Sequence, residues 1–294
     1  MTNMKKTVLV TGATGFLGQF VVNELLEKED YNVLAIGGRP EDKVNPLPDN
    51  PRLNLFTLEE LFDNHFVEID TVINCAFARS NAVDQLAQTL DFTEKLIKRL
   101  EELKVLSVIN MSSQGVYKRL PVGTLSTEDS PIEPIDLYSM AKYASEKMFR
   151  VSSIPYVTNV RLASLMMPQR FLYFFVQKAC NREPFTVTAP NQYAALLDAT
   201  DAASGLVHIV SLDKPRRAKT YNLGLGTQYS LIQYAESVKR IGKQLGYDVL
   251  FDVNDSGISV CAGMDSSKLM KDTGWKPLVM KDEMVTRLFK SIGE

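Results

Sequence analysis

The sequence predicts an α/β fold built on a doubly wound parallel sheet, and three observations predict it. Short apolar or β-branched runs alternate with helix-patterned segments through residue 162. Gly12, Gly15 and Gly18 follow the first run at a three-residue spacing and open directly into an amphipathic stretch. Two clusters of hydroxyl and basic residues, 110–117 and 138–142, stand where such a sheet presents the carboxyl ends of its strands.

In order along the chain, Thr7 to Val10 has the length and apolar character of a buried parallel strand. The helix after the glycine turn places Phe16, Leu17, Phe20, Val21 and Leu25 along one face. Tyr31 to Ile36 reads as a second strand, Leu53 to Phe56 as a third and Thr71 to Ala76 as a fourth, with a short helix at 58–62. Ala82 to Leu103 has helical spacing, with Leu86, Leu90, Leu96, Ile97 and Leu100 turned inward. Val105 to Met111 is a fifth strand, Tyr138 to Arg150 a helix and Tyr156 to Leu162 a sixth strand.

Beyond residue 164 the rhythm changes. Helices are expected at 169–181, 200–210 and 231–245, the last capped by Ser230, with a terminal helix at 266–271. Short strands are expected at 184–188, 193–197, 221–224 and 248–253. The reading is a dinucleotide-binding domain at 1–164 and a smaller mixed α/β substrate lobe at 165–294, with some later elements free to return to the main sheet.

Composition narrows the classes of function. Lys plus Arg number 33 against 35 Asp plus Glu, which offers nothing to nucleic acid or to an anionic membrane surface. No apolar run approaches the roughly 18 residues of a membrane span. Cys75, Cys180 and Cys261 are odd in number and far apart, as free thiols in a reducing cytoplasm would be. Two histidines, His65 and His208, give little to build a His-rich metal site, and no metal is expected.

The chemistry starts at the glycines. A helix beginning there has amides with no internal partner and a positive dipole end, which together suit a pyrophosphate. Gly12, Thr14, Gly15, Phe16, Leu17 and Gly18 are therefore the candidate phosphate contacts. Tyr138 and Lys142 are four residues apart and share a helix face. A phenol must fall by roughly three pH units to work near neutrality, a cost of about 4 kcal/mol. An ammonium about 4 Å away at an effective dielectric of 20 supplies about that much. Ser113 could donate to a substrate oxygen beside that phenol.

These residues resemble an extended short-chain dehydrogenase/reductase of the NAD(P)-dependent epimerase/dehydratase family. The resemblance rests on the turn Thr11 to Gly18, residues 72–76, Ser112-Ser113 with Val116-Tyr117, and Tyr138 to Lys142 with Glu146. It continues through Asn222 to Gly224, Ser230, Asp265, Gly274-Trp275 and Pro277. It implies a Rossmann fold, Tyr138 as catalytic acid/base, Lys142 binding the nicotinamide ribose and tuning Tyr138, and Ser113 orienting a carbonyl. It also implies Ala76 and Ala163 beside the cofactor, and a homodimer formed through the helices at 82–103 and 138–150.

Three departures refine the expectation. NAD-preferring members end the second strand with an acidic residue; here that position is Gly37, and Arg39 follows, which favours a 2′-phosphate and NADP over NAD. An arginine that clamps the diphosphate of nucleotide sugars aligns to Ala194, and a second basic position reads Cys261-Ala262-Gly263. Losing two such contacts costs on the order of 1.5–3 kcal/mol each, although Arg170, Arg182 or Lys178 could substitute. The usual asparagine after the sixth strand is Ser164, where Met166, Met167, Phe171, Tyr173, Phe174 and Phe175 suit an apolar pocket wall.

The expected function is hydride transfer to or from a carbonyl or alcohol substrate by a cytoplasmic NADP-dependent oxidoreductase. The alternatives are a nucleotide-sugar epimerase or dehydratase and a regulator that senses NADP(H) without turnover. Retention of Ser113, Tyr138 and Lys142 argues against the regulator. Arg39→Ala is expected to lower the ratio of NADP(H) to NAD(H) affinity by roughly tenfold or more. Fluorescence titration of both dinucleotides measures it, and an unchanged ratio removes the preference.

Overall fold

The strand pattern of the first half is realised as a seven-stranded sheet in the order β11-β6-β5-β4-β1-β2-β3, parallel throughout. The computed structural model describes residues 5–37, 47–63, 66, 68–168, 170–255 and 261–293. The strands are β1 Lys6–Thr11, β2 Tyr31–Ile36, β3 Leu53–Phe56, β4 Thr71–Asn74, β5 Ser107–Ser113, β6 Tyr156–Leu162 and β11 Thr220–Leu223. Between them run α1 Phe16–Glu27, α2 Leu58–Asp63, α3 Val83–Glu102 and α4 Leu137–Val151. Each strand feeds two cores by alternation, as a sheet covered on both faces requires. Val8, Val10, Ile73 and Ile109 join the core beneath α1. Leu9, Val72 and Val108 join the one beneath α3 and α4, which also takes Leu96, Leu100 and Phe149.

The remaining elements are β7 Ser164–Leu165, α5 Phe171–Cys180, β8 Phe185–Thr188, β9 Tyr193–Ala194, β10 Leu196–Leu197 and α6 Ala199–Ser211. They continue with β12 Tyr229–Ser230, α7 Leu231–Gln244, β13 Phe251–Asn254, β14 Cys261–Ala262, α8 Ser267–Thr273 and α9 Lys281–Gly293. Several late segments belong to the main body: α6 packs against α1, β11 completes the sheet edge beside β6, and α8 packs on β11 with Leu269 in the main core. A second body forms where α5, α7 and α9 enclose a core of Phe175, Phe185, Tyr234 and Phe289. Asp201 of α6 ties the bodies together, its buried carboxylate accepting from the amides of Leu278 and Val279 at 3.0 and 2.8 Å.

Several local expectations shift. Burial along α1 centres on Gly18, Val21, Val22, Leu25 and Leu26, so Phe16, Leu17 and Phe20 are only partly covered. Leu90 of α3 is likewise half-buried, and Thr89 and Thr93 take the inner positions by returning their hydroxyls to the backbone four residues earlier. The strand expected at 193–197 is two short pieces in different sheets. The expected helices end at 271, yet α9 follows. Its signal was present: acidic Asp282 and Glu283 in the first turn, then Met284, Val285, Leu288 and Phe289 at helical spacing.

One buried polar line runs across four neighbouring strands, from the last residues of β1 and β4 to the middles of β5 and β6. Thr11 Oγ1 donates to Asn74 Oδ1 at 2.6 Å, Asn74 Nδ2 to Asn110 Oδ1 at 2.9 Å, and Asn110 Nδ2 to Asn159 Oδ1 at 3.0 Å. Each pair is also a register pair of β1, β4, β5 and β6. A one-residue slip of β4 or β5 would break two of these bonds, and of β1 or β6 one, in a place water does not reach. Asn110→Ala strips partners from Asn74 and Asn159 together and is expected to cost about 2–5 kcal/mol. Urea unfolding reads that loss, and a change below about 1 kcal/mol would show that the line carries little stability.

Candidate active site

The first helix starts at the point where strand order reverses, between β1 and β4, and this is where an open α/β sheet leaves a crevice. Gly12 has φ +65°, and a Cβ there would meet the Ala76 backbone nitrogen at 2.8 Å. A Cβ on Gly18 would meet the Gly12 carbonyl at 2.1 Å, so α1 can approach β1 only because neither residue has a side chain. Gly15 is the N-cap of α1 and brings no side chain to it, which leaves the first-turn amides to a ligand. On one side of this turn lies a cleft of about 320 Å³ that touches Gly12, Gly15, Phe16, Leu17 and Gly18. On the other lies an apolar cleft of about 290 Å³ bounded by Gly12, Gly37, Leu58, Ala76 and Phe92. Two clefts joined across a glycine turn fit a dinucleotide, with the pyrophosphate over the turn.

The larger cleft gathers the hydroxyl and basic groups. Tyr138 stands in the first turn of α4, its amide held by Asn81 Oδ1 at 3.0 Å and its ring edge-on to Phe77 at 5.9 Å. Its phenol shares the cleft with the Ser113 side chain, which favours the ionised phenol. Ser113 ends β5, and its Oγ accepts the Gly115 amide at 3.1 Å, which leaves the hydroxyl proton to donate outward. Lys142, one turn along from Tyr138, is buried in the same cleft. Its Nζ donates to the Met111 carbonyl at 2.7 Å and lies 3.8 Å over the Phe77 ring. One further turn on, Glu146 takes Arg161 in a two-pronged bond at 2.9 Å per prong and accepts from Ser112 at 2.5 Å. That buried pair fixes α4 against β5 and β6.

The electrostatics differ from the sequence-based expectation. Burial, the largest influence, raises the Tyr138 phenol above its ordinary value of 10.0; Arg79, Arg170 and Ser113 pull it back and Asp136 adds to the rise. The Lys142 ammonium lies 6.0 Å from the centre of the Tyr138 ring and is itself engaged by a carbonyl and the Phe77 ring face. Burial brings Lys142 itself down to about 7, against the pull of Cys75 and Glu146. The neighbouring Cys75 thiol is pushed up to about 12 by the same burial, with Lys142 opposing.

The structure collects most of the expected residues in this crevice. Ala163 and Ser164 line the larger cleft and Ala76 the smaller one. Thr14 sits at the crest of the turn, where its Cγ2 would be 3.3 Å from a Cβ built on Gly37. Arg39 lies outside the described residues. The apolar wall expected from 166–175 does not form as a wall: Phe171 and Phe175 turn into the second core against Tyr234 and Phe185, Met166 and Tyr173 pack on that core, and Phe174 is 46% exposed. Met167 alone of that group reaches the cleft. Of the three substitute cations, Arg170 lines it, whereas Lys178 pairs with Glu183 and Arg182 is not part of its lining. Ala194 and Ala262 are register partners in β9 and β14, so the position expected to carry the diphosphate arginine lies beside the stretch 261–263. Sequence reasoning passed over Arg79, Phe77 and Gln114, all of which border the cleft.

The two buried groups set a pH profile. Lys142 is neutral in the fold above about 7 and charged in the unfolded chain up to 10.5, so the unfolded state binds more protons in that window and stability rises with pH. Cys75 keeps its proton in the fold up to about 12 but loses it at 9.0 when unfolded, so its contribution falls above pH 9. Unfolding free energy is expected to climb from pH 7 to 9 and then flatten. Lys142→Met is expected to abolish the climb in denaturant titrations run at each pH.

Comparison with known proteins agrees with this geometry. The chain is 24% identical to dTDP-4-dehydro-6-deoxyglucose reductase of Escherichia coli, across 99% of both chains. It is 25% identical to UDP-glucose 4-epimerase of Lactobacillus helveticus, across 92% of both. Among solved structures, a variant of UDP-glucuronic acid 4-epimerase from Bacillus cereus, in complex with UDP-4-deoxy-4-fluoro-glucuronic acid and NAD, superposes with a TM-score of 0.81 at 19% identity. That match covers 97% of this chain and 98% of the other, and it shows a shared fold. Residues 8–224 match the NAD dependent epimerase/dehydratase family from β1 to the end of β11, and the chain belongs to that family of enzymes.

Proposed function

We propose that this enzyme transfers hydride to or from a carbonyl or alcohol substrate, with Tyr138 giving or taking the hydroxyl proton. The observation that carries the reading is the convergence of Ser113, Tyr138 and Lys142 in the cleft beside the glycine turn. Ser113 orients the substrate oxygen toward the phenol, since its own acceptor capacity is engaged by Gly115. Lys142 is anchored by Met111 and would hold the ribose of a bound dinucleotide. When bound, the nicotinamide supplies or accepts the hydride. Gly12 to Gly18 hold the pyrophosphate, and Ala76 and Ala163 flank the two ends of the dinucleotide.

NADP is proposed over NAD, on the strength of Gly37 at the end of β2 and Arg39 after it. The Bacillus cereus neighbour holds NAD, so NAD is the competing cofactor. The protein is further proposed to be cytoplasmic and to pair as a homodimer through α3 and α4, where Val83, Leu137 and Met140 are exposed. No helix among the described residues is long and apolar enough to cross a membrane.

A second reading has its own support. The relatives include nucleotide-sugar 4-epimerases and 4,6-dehydratases, in which case hydride would leave and return within one turnover. Ala194 and the stretch 261–263, standing together where a diphosphate clamp is expected, weigh toward a substrate gripped in some other way. A panel of aldehydes, ketones and nucleotide sugars separates the two: net change in NAD(P)H absorbance marks the reductase or dehydrogenase, and sugar conversion without net change marks the epimerase or dehydratase. In either case Tyr138→Phe is expected to cut kcat by about 10²–10⁴ while leaving dinucleotide affinity within about threefold. Activity that survives the substitution would remove Tyr138 from the chemistry.

A further inference from the structure

Two guanidinium groups in the larger cleft have no acid to answer them. Arg79 lies beyond the end of β4, and Arg170 is the N-cap of α5, so they enter the same cleft from the two bodies of the protein. Neither takes part in an ion pair among the described residues. Arg79 donates to the Met167 thioether, a weak acceptor. Arg170 Nε is buried without a hydrogen-bond partner. Both act electrostatically on Tyr138, which places them at the reacting end of the cleft and away from the smaller apolar one.

The surroundings offer them nothing negative. Among the described residues no aspartate or glutamate lines this cleft. Asp136, the acid that acts on Tyr138, spends its Oδ1 on the Ser139 amide at 2.7 Å, as the N-cap of α4. Burial and the neighbouring Arg79 both weigh against the charge on Arg170 and hold it below the ordinary arginine value. Gln114 completes the pattern: its Nε2 is committed to Ser164 at 2.9 Å, and its Oε1 is the second buried atom left without a partner. Two like charges and one bare acceptor converging on a phenol are costly in an empty pocket and favourable around a ligand of opposite polarity.

We propose that Arg79 and Arg170 bind an oxyanion carried by the substrate, a carboxylate or a phosphate, beside the carbon that Tyr138 serves, with Gln114 Oε1 accepting from an adjacent hydroxyl. The assignment rests on the reading of Tyr138 as the acid/base. It is separate from a diphosphate clamp, whose basic residues would stand at Ala194 and within 261–263. It makes the substrate an acid at its reacting end: a sugar acid, a hydroxy acid or a phosphorylated polyol.

Paired ligands test it on the dinucleotide-loaded enzyme. One pair is UDP-glucuronic acid and UDP-glucose, which differ in a carboxylate; the other sets D-glucuronate and D-glucose 6-phosphate against D-glucose. Affinities are measured by calorimetry. The acidic member of at least one pair is expected to bind tenfold to a hundredfold more tightly than its neutral partner, and the preferred acid tells carboxylate from phosphate. Arg170→Gln and Arg79→Gln are each expected to shrink that preference to less than threefold while dinucleotide affinity holds, which reports an intact fold. Equal or absent binding by acidic and neutral members overturns the proposal, as does a preference that survives both substitutions. A protein that binds no dinucleotide, or a Tyr138→Phe variant as active as the wild type, would instead defeat the hydride-transfer reading and leave the acid preference to be judged on its own ratio.

Discussion

The site depends on a constraint that lies beneath it: the amide line from Thr11 through Asn74 and Asn110 to Asn159. These four residues stand at matched positions on adjacent strands, and each is buried. Directly after them come the groups that shape the crevice: Gly12 after Thr11, Cys75 and Ala76 after Asn74, and Met111 after Asn110. A parallel sheet of apolar side chains alone could slide in register with little penalty beyond altered packing. Amides that must find one another cannot. The line therefore levels the strand ends, and the glycine turn, the Met111 carbonyl and Ser113 inherit their relative heights from it.

Above that level, burial outweighs charge. Tyr138 is raised and Lys142 lowered for one reason, that water is excluded from both. The ammonium finds a carbonyl and a ring face, so its charge is answered by dipoles and a π cloud. Arg79 and Arg170 pull the phenol down against its burial. Proton affinity in this cleft is thus set by groups from three separate segments, and spacing along α4 describes only one of them.

What could be read from the sequence was what is local. The strand and glycine turn at 7–18 announce themselves because the requirement for φ > 0 and for close helix approach acts within a dozen residues. Tyr138 and Lys142 were legible as a helical pair, and Ser113 as a strand end. Helical spacing fixes a shared face but not where a four-carbon side chain goes, which is why the lysine's true partner was missed. Arg79 and Gln114 were invisible for a different reason: only tertiary folding brings a loop after β4, a turn after β5 and the start of α5 to one place. The aromatic run 171–175 misled because its helix has two apolar neighbours to choose from, and the core with α7 and α9 buries more than the cleft would.

The late return of α6 and β11 to the main body has a consequence for how the chain can be divided. A fragment ending at residue 164 would leave β6 as a bare edge and uncover the face of α1 that carries Val21, Val22 and Leu25. The converse fragment would hold a strand with no sheet to join. Severing the polypeptide between the two lobes would therefore yield sticky, half-built pieces, and the halves must mature together during synthesis, with the nascent N-terminal portion exposed until some sixty more residues emerge.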